Sequence, residues 1–337
     1  MVSDLIDQNL RDYQLSEQIG QGMMTVVFKG RRLADDRQVA IKILPNLWRR
    51  DPGFIERFET GTQLISKLEH PNILPIYDYG QTEDGTTYLV MQYVNGGTLA
   101  DLFELALPLD KVCRLFLTIA EAVAYAHAHD VIHRDLTPSN ILFDDHGHLY
   151  VADFGLAQIM AGERSVTGSM ILGTPAYMAP EQSEGLTADK RTDIYALGVM
   201  LYEMITRQRP FEAETPMAVM LKEMSEIFPL PHQLRPDLPD EVEQVILKAL
   251  ATNPNERYQD VKQFSQALQQ ATGYSLKPTD KVTATGSMAS APQAPSIPAA
   301  APAVPTPGGA TLPWLWITVA VVILMVILGV IFIGIGG

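Results

Sequence analysis

Cysteine is almost absent from this sequence. Cys113 is the only one in 337 residues, so no internal disulfide can form and the small, disulfide-stapled secreted domains are excluded. Its neighbours follow an apolar pattern with helical spacing, which predicts a buried, unreactive thiol in a reducing compartment. A chain of this length can bury a sizeable core without cross-links.

Basic residues are also scarce. The chain has 25 Lys and Arg against 39 Asp and Glu, which leaves a formal net charge of −14. A surface with this charge repels the phosphate backbone of DNA and RNA. We therefore predict a soluble, acidic body with no nucleic-acid partner.

Charge is missing altogether after Lys281. Between Pro278 and Pro313 the chain consists mainly of Ala, Pro, Ser and Thr. Such a composition buries too little apolar surface to offset chain entropy, and its prolines favour extended segments. Residues 274–313 are therefore predicted to be a disordered, semi-rigid linker.

The last segment is apolar and uncharged. Residues 314–335 are long enough to cross a hydrocarbon core of about 30 Å as one helix, with Trp314 and Trp316 at the entry. The nearest basic residues, Lys277 and Lys281, lie on the N-terminal side, and cytoplasmic flanks carry the basic residues. We expect a single-pass, tail-anchored protein of the cell membrane with its body in the cytoplasm and the lipid bilayer as a partner.

Two alternatives concern this segment. A buried core helix is disfavoured, because a disordered linker leaves no neighbouring core for the segment to join. Gly329 and Gly334 are five residues apart rather than the four typical of small-residue dimer motifs, so a homodimer stays an open question.

The remaining body, residues 11–273, changes character along its length. Short alternating apolar runs between turn residues predict antiparallel strands in the first part, and three-to-four-residue apolar spacing predicts helices in the second. The predicted class is therefore α+β, with a β-rich lobe over about 11–94 and an α-rich lobe over about 95–273. The strand runs are Val26–Phe28, Val39–Ile41 and Tyr88–Met91, and the helical runs are Val112–Ala128, Asp193–Ile205 and Val242–Ala251.

Two features of the first lobe suit phosphate binding. Gly20 and Gly22 lie between two predicted strands, where glycine lets backbone amides approach a phosphate closely. Lys42 is a single cation in an apolar strand, and such a charge usually has a phosphate or a carboxylate as partner. Neither feature is specific alone, since glycine hairpins and snorkelling lysines are common.

The second lobe supplies carboxylates and an amide within a short span. They lie in His133-Arg-Asp135-Leu-Thr-Pro-Ser-Asn140 and in Asp153-Phe-Gly155. Phosphoryl transfer needs oxygen ligands for Mg²⁺ and a carboxylate that orients the incoming hydroxyl, and these residue types meet both needs.

Together with Ala179-Pro-Glu181, these motifs resemble the signature set of the bacterial eukaryotic-like Ser/Thr protein kinases of the membrane-tethered type, over about residues 11–270. The resemblance implies the two-lobed protein-kinase fold and a non-specific Ser/Thr protein kinase. Such an enzyme transfers the γ-phosphoryl of ATP, with Mg²⁺ as cofactor, to hydroxyls of protein substrates and of itself. The loop that ends at Glu181 resembles a protein-docking loop, which disfavours small-molecule substrates.

The resemblance also implies roles for individual residues. Asp135 is the expected catalytic base, Lys42 the ligand of the α- and β-phosphates, and Asn140 and Asp153 the Mg²⁺ ligands. The remaining expected nucleotide-binding residues are Ile19, Gly20, Gly22, Val27, Ala40, Met91, Tyr93, Val94 and Leu142.

Further implied roles are structural or regulatory. Thr174 is expected to contact Asp135, Asp193 to brace the catalytic loop, and Glu181 to pair with Arg257. A phosphate on one of two candidate phosphosites is expected to dock on the adjacent cation Arg134 and order the loop; the alternative is that these hydroxyls are ordinary exposed loop residues. The candidates are Thr167 and Ser169.

Two departures from the family pattern favour an alternative function. The helix glutamate expected to pair with Lys42 falls on Gly61, and Glu59 lies about 200° further around that helix. The lysine expected two residues after Asp135 is Thr137. Both losses weaken stabilisation of the transferred phosphate, so a membrane-tethered pseudokinase or weakly active signalling scaffold is the alternative.

Overall fold

We describe a computed structural model of the chain. The structure describes residues 9–22, 25–44, 53–161, 174–213, 218–219, 221–222 and 228–276. Three predictions lie outside these residues: the phosphosites Thr167 and Ser169, nearly all of the linker 274–313, and the membrane span 314–335. Across the described residues, no helix is long and apolar enough to cross a bilayer.

The first lobe is built on a six-stranded antiparallel sheet. Its strand order is β1-β2-β3-β4-β6-β5. The central strand β4 is buried over nearly its whole length, as expected for an apolar run covered on both faces. The strands are β1 (Asn9–Leu10), β2 (Tyr13–Gln21), β3 (Val26–Arg32), β4 (Gln38–Leu44), β5 (Ile76–Gln81) and β6 (Thr87–Gln92).

A single helix, α1 (Phe54–Ile65), packs against this sheet. Its buried residues recur every three or four positions, which places them on one face. Phe58 contacts Tyr79 of β5 edge-to-face, with 6.1 Å between the ring centroids. Gly61 lies in the middle of the helix, where glycine lowers helix stability by about 1 kcal/mol relative to alanine, so tertiary packing has to hold α1 in place.

The second lobe is helical around two buried helices, α2 (Leu109–Ala128) and α5 (Lys190–Thr206). Asp189 caps the start of α5, because its carboxylate accepts a hydrogen bond from the Arg191 amide. The strands β7 (Ile141–Phe143) and β8 (Leu149–Val151) form a small hairpin, and Val151 makes a bridge to Ile73 of the first lobe. The other α-helices with bounds in the described residues are α3 (Leu156–Ala161), α4 (Pro180–Ser183), α6 (Pro231–Leu234), α7 (Asp240–Ala249) and α8 (Val261–Thr272).

This architecture confirms the predicted class of fold: a β-rich lobe is followed by an α-rich lobe. The predicted strand and helix runs all fall in strands and helices, with ends that shift by a few residues. Cys113 is fully buried, and burial raises the pKa of its thiol. Past α8, the apolar side chains of Tyr274 and Leu276 still pack against the core.

Candidate active site

A cavity of about 650 Å³ opens between the sheet and the second lobe. The residues that line it come from β2, β3, β4 and β6, from the segment that follows β6, and from the loops around β7 and β8. All the residues predicted to bind nucleotide or metal or to act in catalysis line it. They are Ile19, Gly20, Gly22, Val27, Ala40, Lys42, Met91, Tyr93, Val94, Asp135, Asn140, Leu142 and Asp153.

One end of the cavity is apolar. Ala40 of β4 lies opposite Met91 of β6 in the sheet, and both are buried in one small cluster. Val27 packs against this cluster from the first lobe and Leu142 packs against it from the second. Apolar walls with few polar groups are typical of sites that take a flat, uncharged ring.

The glycines border this cavity where β2 turns into β3. The Gly22 amide donates to the Thr25 carbonyl at 2.8 Å, and a Cβ at position 22 would lie 2.9 Å from the Thr25 hydroxyl. A Cβ at Gly20 would meet only Val27, at an ordinary 3.6 Å. A side chain at position 22 would need the Thr25 hydroxyl to turn aside, whereas glycine at position 20 leaves the backbone accessible from the cavity.

The cation of the cavity is Lys42. Its ammonium lies 2.5 Å from an Asp153 carboxylate oxygen, and the lysine is only 8 % exposed. A charge buried to this extent needs a partner, and within the part of the chain that the structure describes Lys42 forms an ion pair only with Asp153. Asp153 has a φ of 65°, a left-handed conformation that few non-glycine residues adopt.

Asp135 and Asn140 line the same cavity. The Asn140 amide donates to the Asp135 carbonyl at 2.8 Å, and the Thr174 backbone N–H donates to the Asp135 carboxylate at 3.3 Å. The predicted Thr174–Asp135 contact is thus made by the backbone. Burial raises the pKa of Asp135, and the nearby charge of Asp153 adds to this effect while that of His133 opposes it.

The loop that carries Asp135 is anchored by Asp193. This carboxylate, at the first turn of α5, accepts hydrogen bonds from the backbone N–H groups of His133 and Arg134, each at 2.8 Å. Its third partner is His127 Nε2 at 2.7 Å. Burial acts to raise the pKa of Asp193, but the hydrogen bond with His127 and the neighbouring charges outweigh it, so the pKa lies below its usual value. The predicted bracing role of Asp193 is confirmed.

A second buried ion pair, within the second lobe, joins α4 to the segment between α7 and α8. Glu181 accepts two hydrogen bonds from Arg257, both at 2.8 Å, and Arg257 is 2 % exposed. The Thr192 hydroxyl also donates to Glu181. This confirms the predicted pair, and its bidentate geometry is the stronger form of such an interaction.

Arg134 lies in the anchored loop and has a φ of 67°. Its Nε is buried and has no hydrogen-bond partner among the residues the structure describes, and burial lowers the pKa of the guanidinium. The two candidate phosphosites, Thr167 and Ser169, lie outside those residues. Docking of a phosphate on Arg134 therefore stays a prediction.

The structure shows the surroundings of the two positions that depart from the family pattern, Gly61 and Thr137. Both glutamates of α1, Glu56 and Glu59, are exposed, and neither lines the cavity. Thr137 is buried and lines the cavity. Among the described residues that line it, Lys42 is the single cation and faces two aspartates.

Some lining residues were not predicted. Leu74 and Ala152 complete the apolar cluster with Ala40 and Met91. Ala152 directly precedes the Asp-Phe-Gly motif, and this position could have been used to predict that it lines the cavity. Leu156 and Met160 of α3 also line the cavity, and no pattern in the sequence placed this short helix there.

The donor set suits ATP and Mg²⁺. Asp153 offers carboxylate oxygens and Asn140 an amide oxygen, which are hard ligands of the kind Mg²⁺ prefers. Mg²⁺ commonly takes one or two such side chains and fills its octahedron with phosphate oxygens and water. The residues present therefore fit a metal–nucleotide complex, with the apolar cluster for the base and Lys42 for the phosphates.

The comparisons with known proteins agree with this geometry. Residues 13–271 match the protein kinase domain family, and the chain belongs to it. It is 39% identical over 249 residues to the serine/threonine-protein kinase PrkC of Bacillus subtilis, covering 73% of this chain and 38% of PrkC. It is 37% identical over 260 residues to the serine/threonine-protein kinase PknB of Mycolicibacterium smegmatis, covering 75% and 42% of the two chains. The resemblance to the bacterial Ser/Thr kinases is thus confirmed.

A solved structure gives the same result for the fold. The kinase domain of Mycobacterium tuberculosis PknI superposes with a TM-score of 0.64 at 26% identity, covering 80% of this chain and 98% of that domain. The match supports the two-lobed kinase fold. The chain spans less than half the length of PrkC and of PknB.

Proposed function

We propose that this chain is an active Ser/Thr protein kinase that transfers the γ-phosphoryl of Mg-ATP to protein hydroxyls, including its own. The observation that supports this most is the convergence on one cavity of Lys42, Asp135, Asn140 and Asp153. An apolar cluster lies at the other end of the same cavity. The kinases PrkC and PknB are the named relatives of this domain.

The mechanism follows from the residues of the chain. Lys42 binds the α- and β-phosphates, and its pairing with Asp153 keeps the ammonium at the cavity. Asn140 and Asp153 would hold Mg²⁺, which when bound neutralises charge on the phosphates. Asp135 orients the incoming hydroxyl and accepts its proton, and the Thr174 amide fixes one of its carboxylate oxygens. The in-line attack breaks the bond between the β–γ bridging oxygen and the γ-phosphorus.

The second candidate is a pseudokinase or weakly active scaffold. Gly61 and Thr137 favour it, because each stands where a charged residue is expected, and among the described residues that line the cavity Lys42 is the single cation. Binding tolerates such losses better than catalysis does. Lys42, Asp135, Asn140 and Asp153 are all retained and converge on the cavity, so we favour the enzyme.

Intact-mass measurement of the full chain incubated with Mg-ATP tests the choice. An enzyme gains one or more phosphates of about 80 Da, the Asp135→Asn variant gains none, and phosphopeptide mapping locates them on Ser or Thr. Nucleotide-dependent thermal stabilisation without phosphate on the parent would support the scaffold. Phosphate on Thr167 or Ser169 would support the proposed loop docking on Arg134, and full activity of the Thr167→Ala and Ser169→Ala variants would contradict it.

We also propose that the chain is anchored in the cell membrane through residues 314–335, with the kinase domain on the cytoplasmic side. The support is the charge-free apolar sequence after a Pro-rich linker and the basic residues on its N-terminal side. Carbonate extraction of membranes from cells that express the full chain tests this. The full chain should stay in the pellet, a chain that ends at residue 313 should be released, and release of both would refute the anchor.

A further inference from the structure

Helix α1 contacts the segment after Asp153 through one face. Gly61 and Ile65 are four residues apart in α1, so their positions lie one above the other on that face. The segment they meet runs through Gly155 into helix α3. Both contacts are close enough to fix how the two elements approach each other.

The first contact joins Gly61 to Ile159. A Cβ at position 61 would lie 2.6 Å from Ile159 Cγ1 and 2.7 Å from Ile159 Cδ1, closer than carbon atoms approach without a bond. Ile159 is 5 % exposed and belongs to the main core. Glycine at position 61 is thus the residue that allows α3 to pack directly on α1.

The second contact joins Ile65 to Gly155. A Cβ at Gly155 would lie 3.1 Å from Ile65 Cδ1, and Gly155 has a φ of 63° that favours glycine. Gly155 is two residues from Asp153. Helix α1 therefore contacts the segment at both ends, beside Asp153 and again within α3.

These contacts bear on Lys42, because Asp153 is the residue that pairs with its ammonium. We propose that α1 positions Lys42 by packing instead of by a glutamate: Ile159 on Gly61 and Ile65 on Gly155 hold Asp153, and Asp153 holds the lysine. Ile159 is then a positioning residue for phosphoryl transfer. The inference rests on the proposed function, since it assigns a task within that same site.

A consequence distinguishes this account from a simple loss of a charged residue. If position 61 only lacks a carboxylate, the Gly61→Glu variant should be more active than the parent. In the packing account the first carbon of a glutamate side chain already overlaps Ile159, wherever the carboxylate then points, so the substitution displaces α3 and with it Asp153. Gly61→Glu should then be less active than the parent.

The test is a bump-and-hole cycle in the full chain. The variants are Gly61→Ala, Ile159→Ala, the double variant and Gly61→Glu, with Glu59→Gln as the matched control on the exposed face of α1. For each, kcat and KM for ATP are measured well below the melting temperature, together with the affinity for Mg-ADP. We expect Gly61→Ala to raise KM for ATP about 10-fold or more and to weaken Mg-ADP binding, Gly61→Glu to do at least as much, and Glu59→Gln to match the parent.

The double variant provides the decisive readout. Removing Ile159 beyond its Cβ makes room for the methyl group that Gly61→Ala adds, so the double variant should recover most of the KM and Mg-ADP affinity lost in Gly61→Ala. If Ile159 had a merely structural role, the variants would melt at lower temperatures, but KM for ATP and Mg-ADP affinity would not be restored in the double variant. A double variant no better than Gly61→Ala, or a Gly61→Glu variant more active than the parent, overturns the proposal.

Failure of the proposed function would look different. If the parent incorporates no phosphate, the Mg-ADP affinities still report whether Lys42 is positioned. Loss of affinity in Gly61→Ala and its recovery in the double variant would then support the packing account in a scaffold. Equal affinities in all variants would refute it.

Discussion

The two sides of the cavity are held in place by different interactions. On the side of the second lobe, the loop of Asp135 is fixed by a buried carboxylate, Asp193, with three hydrogen-bond partners. On the side of the first lobe, Lys42 relies on Asp153, which packing contacts to α1 hold in place. A mutation on the first of these sides leaves buried polar groups without hydrogen-bond partners, whereas a mutation on the other side creates a steric overlap or a gap. That difference orders the predictions below.

The largest effect should come from Asp193→Asn. An asparagine presents an N–H group to backbone donors that the carboxylate now accepts from, so it leaves buried groups unsatisfied. We expect a loss of about 3–5 kcal/mol in the free energy of unfolding, measured by urea denaturation. Asp189→Asn at the N-terminus of the same helix is the control and should cost less than about 1 kcal/mol, because asparagine also caps helices. Equal losses in both variants would contradict the special role of Asp193.

The next effect should come from Arg257→Lys. A lysine keeps the charge but cannot make both hydrogen bonds to Glu181, so we expect a loss of about 1.5–3 kcal/mol by the same method. Arg191→Lys is the control, because its pair with Asp189 is more exposed and should be worth about 1 kcal/mol or less. If Arg257→Lys is as stable as the parent, the pair is not what ties the docking loop down.

The third prediction concerns Thr137→Lys, which adds a cation on the side of the cavity that carries Asp135. A second cation at the wall of the cavity should stabilise the charge that develops during transfer, so we expect a rise of about 10-fold in kcat, a fraction of what a preorganised group contributes. Phosphate transfer to a protein substrate measures it. Ser139→Lys adds the same charge two residues away and should give a smaller rise; a larger rise there would show that general charge attraction explains the effect.

The smallest effect concerns the pH dependence of stability at Asp135. Its pKa in the folded state is raised, so its contribution to stability is full below the ordinary aspartate pKa of about 4 and is lost as pH rises through the raised value. Asp135→Asn removes this loss. We expect the variant to melt about 1–3 °C higher than the parent at pH 7–8, with a difference that shrinks towards pH 4. An Asp135→Asn variant that melts lower than the parent at pH 8 would contradict the account.

The sequence predicted most of the polar side of this comparison. Asp135, Asn140 and Asp193 stand in motifs that resemble the family signature. The structure brings Asp135 and Asn140 to the cavity and places Asp193 in contact with the loop of Asp135. The strands and the long helices followed from apolar periodicity. The partner His127 was missed, because it stands in none of these motifs and meets Asp193 only through the packing of α2 on α5.

The packing contacts between α1 and α3 could not be predicted from the sequence in the same way. Position 61 was identified as a missing glutamate, but the reason glycine stands there depends on Ile159, almost a hundred residues later. The helix α3 carries no capping or periodic signal long enough to predict. Contacts of this kind are set by tertiary structure, so only the coordinates show that Gly61 accommodates a side chain.

The most direct test of the central claim is phosphate transfer by the full chain beside its Lys42→Met variant, with nucleotide affinity measured on the same samples. The account predicts that the parent incorporates phosphate from Mg-ATP and that Lys42→Met, which removes the single cation of the described cavity, loses transfer by about 10²-fold or more. A parent that binds nucleotide but transfers no more phosphate than Lys42→Met would contradict it.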